Sequence, residues 1–202
     1  MPRLTPLTRE ALSPADRKYY DAIQEARGLD PSDRRILMPP VYGIMLRSPE
    51  LAALVAGMPV PIRAGSTLSQ EVQEIVVLTV SREMMAPLQW DIHVLRGRDA
   101  GVRDALILGI RDHNATHLTP RERALVDLTV RQMTGRVNDA ACAAVTKHFD
   151  ERALVEIMVL VGFTTMLIQI VGALDIRSTL DVDIKLPPAP KNPPPLWSSA
   201  PP

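Results

Sequence analysis

The sequence has little cysteine and few aromatic residues, and it carries no excess of either charge. A single cysteine, Cys142, excludes an intramolecular disulfide, a CxxC redox pair and a cysteine zinc site. It lies in a run of small apolar residues, which predicts a buried and unreactive thiol. Lysine plus arginine total 23, as do aspartate plus glutamate, and aromatic residues make up 3% of the chain. Because a nucleic-acid binder needs a basic surface and stacking side chains, that class is excluded.

The sequence also lacks a convincing alternation of apolar and polar residues between turns, so no sheet is predicted. Helix signals recur instead. Thr119 and Glu122 have the spacing of a capping box, and Leu125 and Leu128 follow at helical spacing. The predicted helices span about 15–26, 49–55, 67–82 and 87–98, then a helix from 120 onward, and 139–148 and 151–174. We therefore predict an all-α helical bundle.

The last predicted helix is unusually apolar. No charged residue occurs between Glu156 and Asp175, which is close to the length of a membrane span. Thr164, Thr165 and Gln169 in its centre argue against a span, as do flanks without a lysine or arginine cluster. A helix that is apolar all round is otherwise buried centrally or at a subunit interface. We favour the interface, and therefore expect a homo-oligomer with no membrane contact.

The composition changes towards the C-terminus, where proline becomes frequent from residue 187 onward. We predict one helical domain, residues 1–180, and a proline-rich tail, residues 181–202, that docks on a neighbouring subunit or extends into solvent. Trp197 within the tail favours docking. The N-terminal residues lack the apolar segment of a secretory signal, so a cytoplasmic location is expected.

Four histidines are candidates for acid–base chemistry or metal binding. His113 and His117 lie in a polar stretch that predicts a loop, and are interpreted as solvated side chains. His148 lies near a predicted helix end, where the helix dipole alone accounts for it. His93 differs because it shares one face of a predicted helix with Gln89. With no metal-ligand pattern, GxGxxG or P-loop motif in the sequence, no metal and no cofactor are predicted.

Glu74 is the second candidate for chemistry. It interrupts the apolar surface of the helix that precedes His93, where an unpaired carboxylate would be costly. A buried glutamate needs a partner, and His93 on the next antiparallel helix is a natural one. The residues alone leave two alternatives open. One is a structural contact of Glu74 with a histidine or an arginine, and the other is a catalytic pair.

Segments along most of the chain resemble the carboxymuconolactone decarboxylase and alkylhydroperoxidase-like superfamily, in the same order. These segments are Pro6–Ser13, Arg47–Leu51, Leu68–Val76, Trp90–His93, Leu118–Leu125, Leu154–Ile157 and Val161–Phe163. The resemblance implies an all-α bundle of the alkylhydroperoxidase-like type. It also implies assembly into trimers or hexamers, with active sites near subunit contacts.

The peroxidase branch of that superfamily carries a glutamate, a CxxC pair and a histidine. Glu74 and His93 match the glutamate and the histidine, whereas Ala86 and Gln89 stand at the two cysteine positions. Neither residue can form a thiolate. Peroxide reduction by the dithiol route is therefore excluded.

The decarboxylase branch keeps a Trp-x-x-His arrangement without cysteines, and Trp90 and His93 are similar to it. The resemblance therefore implies a cofactor-free lyase that decarboxylates a small carboxylated lactone or a related intermediate of aromatic catabolism. In this hypothesis His93 is the general acid, and Glu74 sets its tautomer and raises its basicity. The predicted substrate-binding groups are the apolar wall of Trp90, the amide of Gln89, the guanidinium of Arg82 or Arg96, and the helix start at Pro87.

The chain departs from the decarboxylases at residues 87–89, where an acidic-aromatic-acidic stretch is expected and Pro-Leu-Gln occurs. Two further hypotheses therefore remain. The pocket can serve a different acid–base reaction of a small acid, namely hydration, isomerisation or ring opening. Alternatively, the protein is a non-enzymatic oligomer that only binds a ligand.

Overall fold

The computed structural model describes residues 2–28 and 38–188. Every regular element in these two ranges is helical, and no strand occurs within them, which confirms the predicted all-α class. The α-helices are α1 (Arg17–Ala26), α2 (Pro40–Met45), α3 (Pro49–Gly57), α4 (Gln70–Glu83), α5 (Pro87–Asp99), α6 (Asp104–Arg111), α7 (Pro120–Met133), α8 (Asp139–Thr146) and α9 (Glu151–Ala173). A π-helical turn, Val60–Ala64, precedes α4, and a 3₁₀ turn, Ala115–His117, precedes α7.

Side-chain caps fix where the later helices begin, as the sequence predicted. The Thr119 hydroxyl accepts from the Glu122 backbone N–H, and the Glu122 carboxylate accepts from the Thr119 N–H, which completes the capping box. Asn138 and Asp150 cap α8 and α9 in the same way, each accepting from a backbone N–H three residues later. At the other end of the chain, Gly28 follows α1 with a φ of +62°, the left-handed conformation that commonly stops a helix.

Two helices, α2 and α6, were not predicted. They have six and eight residues, which is too short for a helical repeat of apolar residues to stand out. Their stability comes from burial instead, because four of the six residues of α2 and four of the eight residues of α6 are buried. The helix α2 therefore depends on tertiary contacts that the sequence pattern did not indicate.

The helix α4 lies at the centre of the fold. Ten of its fourteen residues are buried, and it packs against α5, α6, α7 and α9. A second apolar cluster joins α1, α2 and α3 to the C-terminal half of α9. Because α9 contributes Leu160 to the first cluster and Phe163 to the second, it ties the two together. A cavity with polar and apolar walls forms where residues of the two clusters meet.

The long helix α9 is only partly covered. It is long and apolar enough to span a membrane, but a single such helix is weak evidence because core helices of other proteins meet the same criterion. Within its most apolar window, 39% of the residues are buried. Val155 and Val159 remain on its exposed side. The predicted subunit interface on α9 stays a prediction.

Two further predictions concern the burial of Cys142 and the proline-rich tail. Cys142 on α8 is half-buried and not fully buried, because the residues that α8 buries are Ala141 and Val145. Val182 and Ile184 are buried against the helical core, so the chain packs on the helices past residue 180. The division into a domain and a tail stays a prediction, and Trp197 lies outside the described residues.

Candidate active site

The predicted pair of His93 and Glu74 is formed. Glu74 projects from α4 and His93 from α5, and the two helices pack side by side. The Nδ1 atom of His93 lies 2.5 Å from Oε2 of Glu74. The two residues are 8% and 3% exposed, so this contact lies inside the protein. A buried carboxylate has thus found the partner that its burial requires.

Arg63 is a third member of this group, and it was not predicted. Its guanidinium forms an ion pair with the other carboxylate oxygen of Glu74. The π-helical turn that carries Arg63 is held by Gln73, whose amide donates to the Arg63 carbonyl (3.1 Å) and accepts from Arg63 Nε (3.2 Å). Glu74 is therefore held between a guanidinium and an imidazole. The sequence predicted that a buried Glu74 pairs with a histidine or an arginine, but it did not indicate that the arginine is Arg63.

The pKa values of Glu74 and His93 are both shifted, and the shifts decide which residue is charged. Burial alone would raise the pKa of Glu74, but the hydrogen bond and charge of His93, followed by those of Arg63, lower it below the ordinary value. Burial lowers the pKa of His93, outweighing the opposite effect of Glu74, and the charges of Arg63 and Arg96 lower it further. Glu74 is therefore ionised and His93 is neutral at pH 7.

This charge state assigns the proton on the imidazole. An ionised carboxylate can only accept a hydrogen bond, so Nδ1 of His93 must donate to Glu74. The Nε2 atom then keeps a lone pair. At neutral pH His93 is thus a proton acceptor. The general-acid role stays a prediction, and it requires Nε2 to acquire a proton first. The physical reason is burial, which disfavours the imidazolium more than Glu74 stabilises it.

His93 lines a cavity of about 420 Å³ between α2, α5 and α9. One wall is apolar and is formed by Leu88, Ile92, Leu160, Phe163, Leu167 and Val171. Other described lining residues carry polar groups without a formal charge, namely Tyr42, Gln89, Thr164 and Thr179. The volume and the mixture of walls are typical of a site for a small organic ligand.

The charged residues described in the cavity lining, apart from His93, are all arginines. Arg27, Arg63, Arg96 and Arg177 line it, and no aspartate or glutamate is among the described lining residues. Arg63 is neutralised by Glu74, and the exposed Arg177 pairs with Asp175 at 3.0 Å. Within the described ranges Arg27 and Arg96 form no ion pair. The cavity therefore favours an anion with an apolar body, since guanidinium groups match carboxylate geometry.

Of the four predicted substrate-binding residues, Gln89 and Arg96 line the cavity, whereas Trp90 and Arg82 do not. Trp90 is fully buried on the other side of α5, and its Nε1 donates to the carbonyl of Ile184 (2.7 Å). It is a core residue because the cavity-facing positions of α5 are 88, 89, 92, 93 and 96. Arg82 lies two turns along α4 from Glu74, and its Nε donates to a backbone carbonyl of α6. The helix start at Pro87 borders a separate pocket.

The remaining candidates lie elsewhere. His113 is exposed and its Nε2 lies 2.6 Å from Oε1 of Glu83, while His117 belongs to the 3₁₀ turn. In residues 2–28 and 38–188, no group of three or more His, Cys, Asp or Glu side chains is placed to hold a metal. Cys142 does not line the cavity. Among the described residues that line the cavity, none carries sulfur.

Solved structures with this fold are known. An uncharacterized peroxidase-related protein from Ralstonia eutropha JMP134, described as an alkylhydroperoxidase AhpD core, superimposes with a TM-score of 0.68 at 15% identity, over 87% of this chain and 91% of that one. A peroxidase-related protein from Silicibacter sp. TM1040 gives 0.66 at 18% identity, over 87% and 92%. The debrominase Bmp8 in complex with 2,3,4-tribromopyrrole gives 0.66 at 16% identity, over 86% and 89%.

Neither the comparison with protein-family models nor the comparison with curated proteins returned a match. The superposition on the solved structures nevertheless shows that the chain has the all-helical alkylhydroperoxidase-like fold, as the sequence resemblance implied. One protein of this fold is an enzyme, the debrominase Bmp8. At these identities the likeness establishes the fold, and the chemistry must be argued from the cavity.

Proposed function

We propose that this protein is a cofactor-free acid–base enzyme that acts on a small carboxylated molecule with an apolar body. The observation that carries the proposal is a buried His93 that contacts Glu74 through Nδ1 and lines a cavity together with several arginines. Arg27 and Arg96 hold the carboxylate, and the aliphatic and aromatic wall holds the remainder of the substrate. Glu74 fixes the tautomer of His93, and Arg63 keeps Glu74 ionised.

Among acid–base reactions, isomerisation is the best supported. His93 begins the cycle without a proton on Nε2, so it can take one from a carbon next to a carbonyl group. The electron pair of the broken C–H bond becomes a C=C bond, and the carbonyl π pair moves to oxygen to form an enolate. Where a C=C bond adjoins the deprotonated carbon, the product is a dienolate, and the protonated Nε2 returns the proton to its far carbon. The carbonyl bond then re-forms, the C=C bond has moved by one position, and His93 is neutral again. No co-reactant is consumed.

Decarboxylation of a carboxylated lactone is the second candidate, and the arginines support it because they suit a carboxylate. Loss of carbon dioxide leaves an electron pair on carbon that must be protonated. His93 can deliver that proton only after Nε2 has acquired one, so this reaction needs a protonation step first. A purely binding role has less support, because a ligand-binding cavity does not require a buried ion pair beside it, and because Bmp8 shows that proteins of this fold can be enzymes.

We also propose that the protein forms a homo-oligomer, a trimer or hexamer, in the cytoplasm. The exposed apolar side chains of α9 and α3, which include Val155, Val159, Leu51 and Leu54, support an assembly. Sedimentation analysis of the purified protein tests this. A monomer at micromolar concentration would contradict the assembly.

The reaction is tested by incubating the purified protein in D₂O with panels of small carboxylated lactones, enones and hydroxy acids. Proton NMR then detects deuterium incorporation, double-bond migration or loss of carbon dioxide. We expect incorporation or migration that His93→Ala abolishes and that His117→Ala, an exposed histidine outside the cavity, leaves unchanged. Equal turnover by His93→Ala and wild type would refute the proposal.

A further inference from the structure

The proposed reaction leaves one group unassigned. His93 supplies a base, but the enolate oxygen that forms needs a proton donor beside it. That donor must line the same cavity and carry a proton at neutral pH. Arginine does not release its proton in proteins, and the side chains of Gln89, Thr164 and Thr179 are not acids. Among the described lining residues this leaves the phenol of Tyr42.

Tyr42 is well placed for this task. It lies on α2, which begins at Pro40 directly after Pro39, and it is 3% exposed. The carbonyl of the next residue, Gly43, accepts from the Leu7 N–H at 2.8 Å, so the N-terminal segment fastens α2 in place. A fixed helix of this kind holds the phenol at one position in the cavity. Fixed donors stabilise a developing charge without reorganisation.

The charges near the phenol match an oxyanion. The guanidinium of Arg27 lies over the Tyr42 ring, 5.5 Å from its centroid. Burial raises the pKa of Tyr42 above its ordinary value, and the positive charges of Arg27 and Arg96 moderate that rise. The phenol therefore keeps its proton at neutral pH. The nearby positive charges stabilise negative charge on the phenol oxygen when it gives up that proton. This combination suits a hydrogen-bond donor to an enolate.

We propose that Tyr42 is the catalytic proton donor of this cavity, hydrogen-bonding to the substrate oxygen while His93 Nε2 removes the carbon-bound proton. The inference rests on the proposed acid–base function and defines its substrate class further. The substrate carries a carbonyl oxygen that reaches Tyr42, in addition to the carboxylate held by the arginines. Tyr42 donates its proton to the oxygen as the C–H bond breaks, and it takes that proton back when the other proton returns to carbon and the carbonyl bond re-forms.

The kinetic test compares Tyr42→Phe with Tyr20→Phe, which removes a partly buried phenol outside the cavity. We expect Tyr42→Phe to lower kcat by about 100-fold with KM changed by less than about threefold. The pH profile of kcat should lose its alkaline limb and keep its acid limb. Tyr20→Phe should behave as wild type. Unchanged kcat in Tyr42→Phe would overturn the assignment.

A binding test needs no turnover. The probe is 4-nitrophenolate, an aromatic oxyanion whose absorption reports its hydrogen bonding. We expect Tyr42→Phe to bind it about tenfold more weakly than wild type, and Tyr20→Phe to retain binding. Equal affinity in Tyr42→Phe, or no binding by wild type, would overturn the role of Tyr42. Tyr42-dependent binding by a protein that turns over no substrate would support the donor and refute the isomerase proposal.

Discussion

Replacing Glu74 by glutamine probes the central pair most directly, because glutamine has the same shape without the charge. The carboxylate accepts from two donors at once, Arg63 on one oxygen and Nδ1 of His93 on the other. An amide has one acceptor and one donor end. The charged guanidinium forms the stronger hydrogen bond, so the amide oxygen should turn to Arg63 and its NH₂ group to His93. Nδ1 must then accept, and the imidazole proton moves to Nε2.

The consequence for activity follows from that proton shift. With Nε2 protonated, the cavity loses its base. A positioned general base contributes about 10²–10⁴ in rate, so we expect kcat to fall by a factor in that range, about 3–5 kcal/mol in barrier. Stability should fall by less. Arg63 loses its counter-charge but is 24% exposed, so water offsets part of the loss, and we expect about 1–3 kcal/mol.

Nitrogen-15 NMR of imidazole-labelled protein measures the tautomer, and urea denaturation measures the stability. In wild type the spectrum should show a neutral His93 protonated at Nδ1, and in Glu74→Gln it should show protonation at Nε2. The matched control is Glu83→Gln, which removes the carboxylate beside the exposed His113 and should leave His93 unchanged. If His93 of Glu74→Gln kept its proton on Nδ1, or if kcat stayed within about threefold, the proposed role of Glu74 would be refuted.

Three further predictions follow from the same structure. Because the pKa of His93 is lowered, kcat/KM should stay level from pH 8 to pH 7 and fall only below pH 6.5, the ordinary pKa of histidine. A loss of kcat/KM that begins above pH 7 would contradict a neutral base. Arg96→Gln should raise KM at least about tenfold with little change in kcat. The control is Arg121→Gln, because Arg121 does not line the cavity. Equal KM values for Arg96→Gln and wild type would show that Arg96 is not part of the anion site. Glu122, whose pKa is held at about 2 by Arg103 and the Thr119 cap, should contribute about 1–2 kcal/mol above pH 4.5 that is lost as the pH falls towards 2. Glu122→Gln should show this loss already at pH 7 in urea denaturation, and unchanged stability would contradict it.

The sequence predicted the parts of the fold that depend on local chemistry. The caps at Thr119, Asn138 and Asp150 begin helices where predicted, because a cap is formed by a side chain and a backbone N–H three residues away. The contact of Glu74 with His93 was also predictable, since a carboxylate on an apolar helix surface needs a partner and the next helix offered one. These features require no knowledge of distant residues.

The tertiary structure decided which side chains share the cavity. Trp90 lies only three residues from His93, but the rotation of α5 turns it into the core, whereas Gln89 and Arg96 face the cavity. Tyr42 and Arg63 reach it from a short helix and a π-helical turn whose positions depend on long-range packing. The shift in the pKa of His93 also depends on the tertiary structure. Burial is a property of the folded chain. Here it lowers the pKa of His93 by more than the neighbouring carboxylate of Glu74, which the sequence had predicted, raises it.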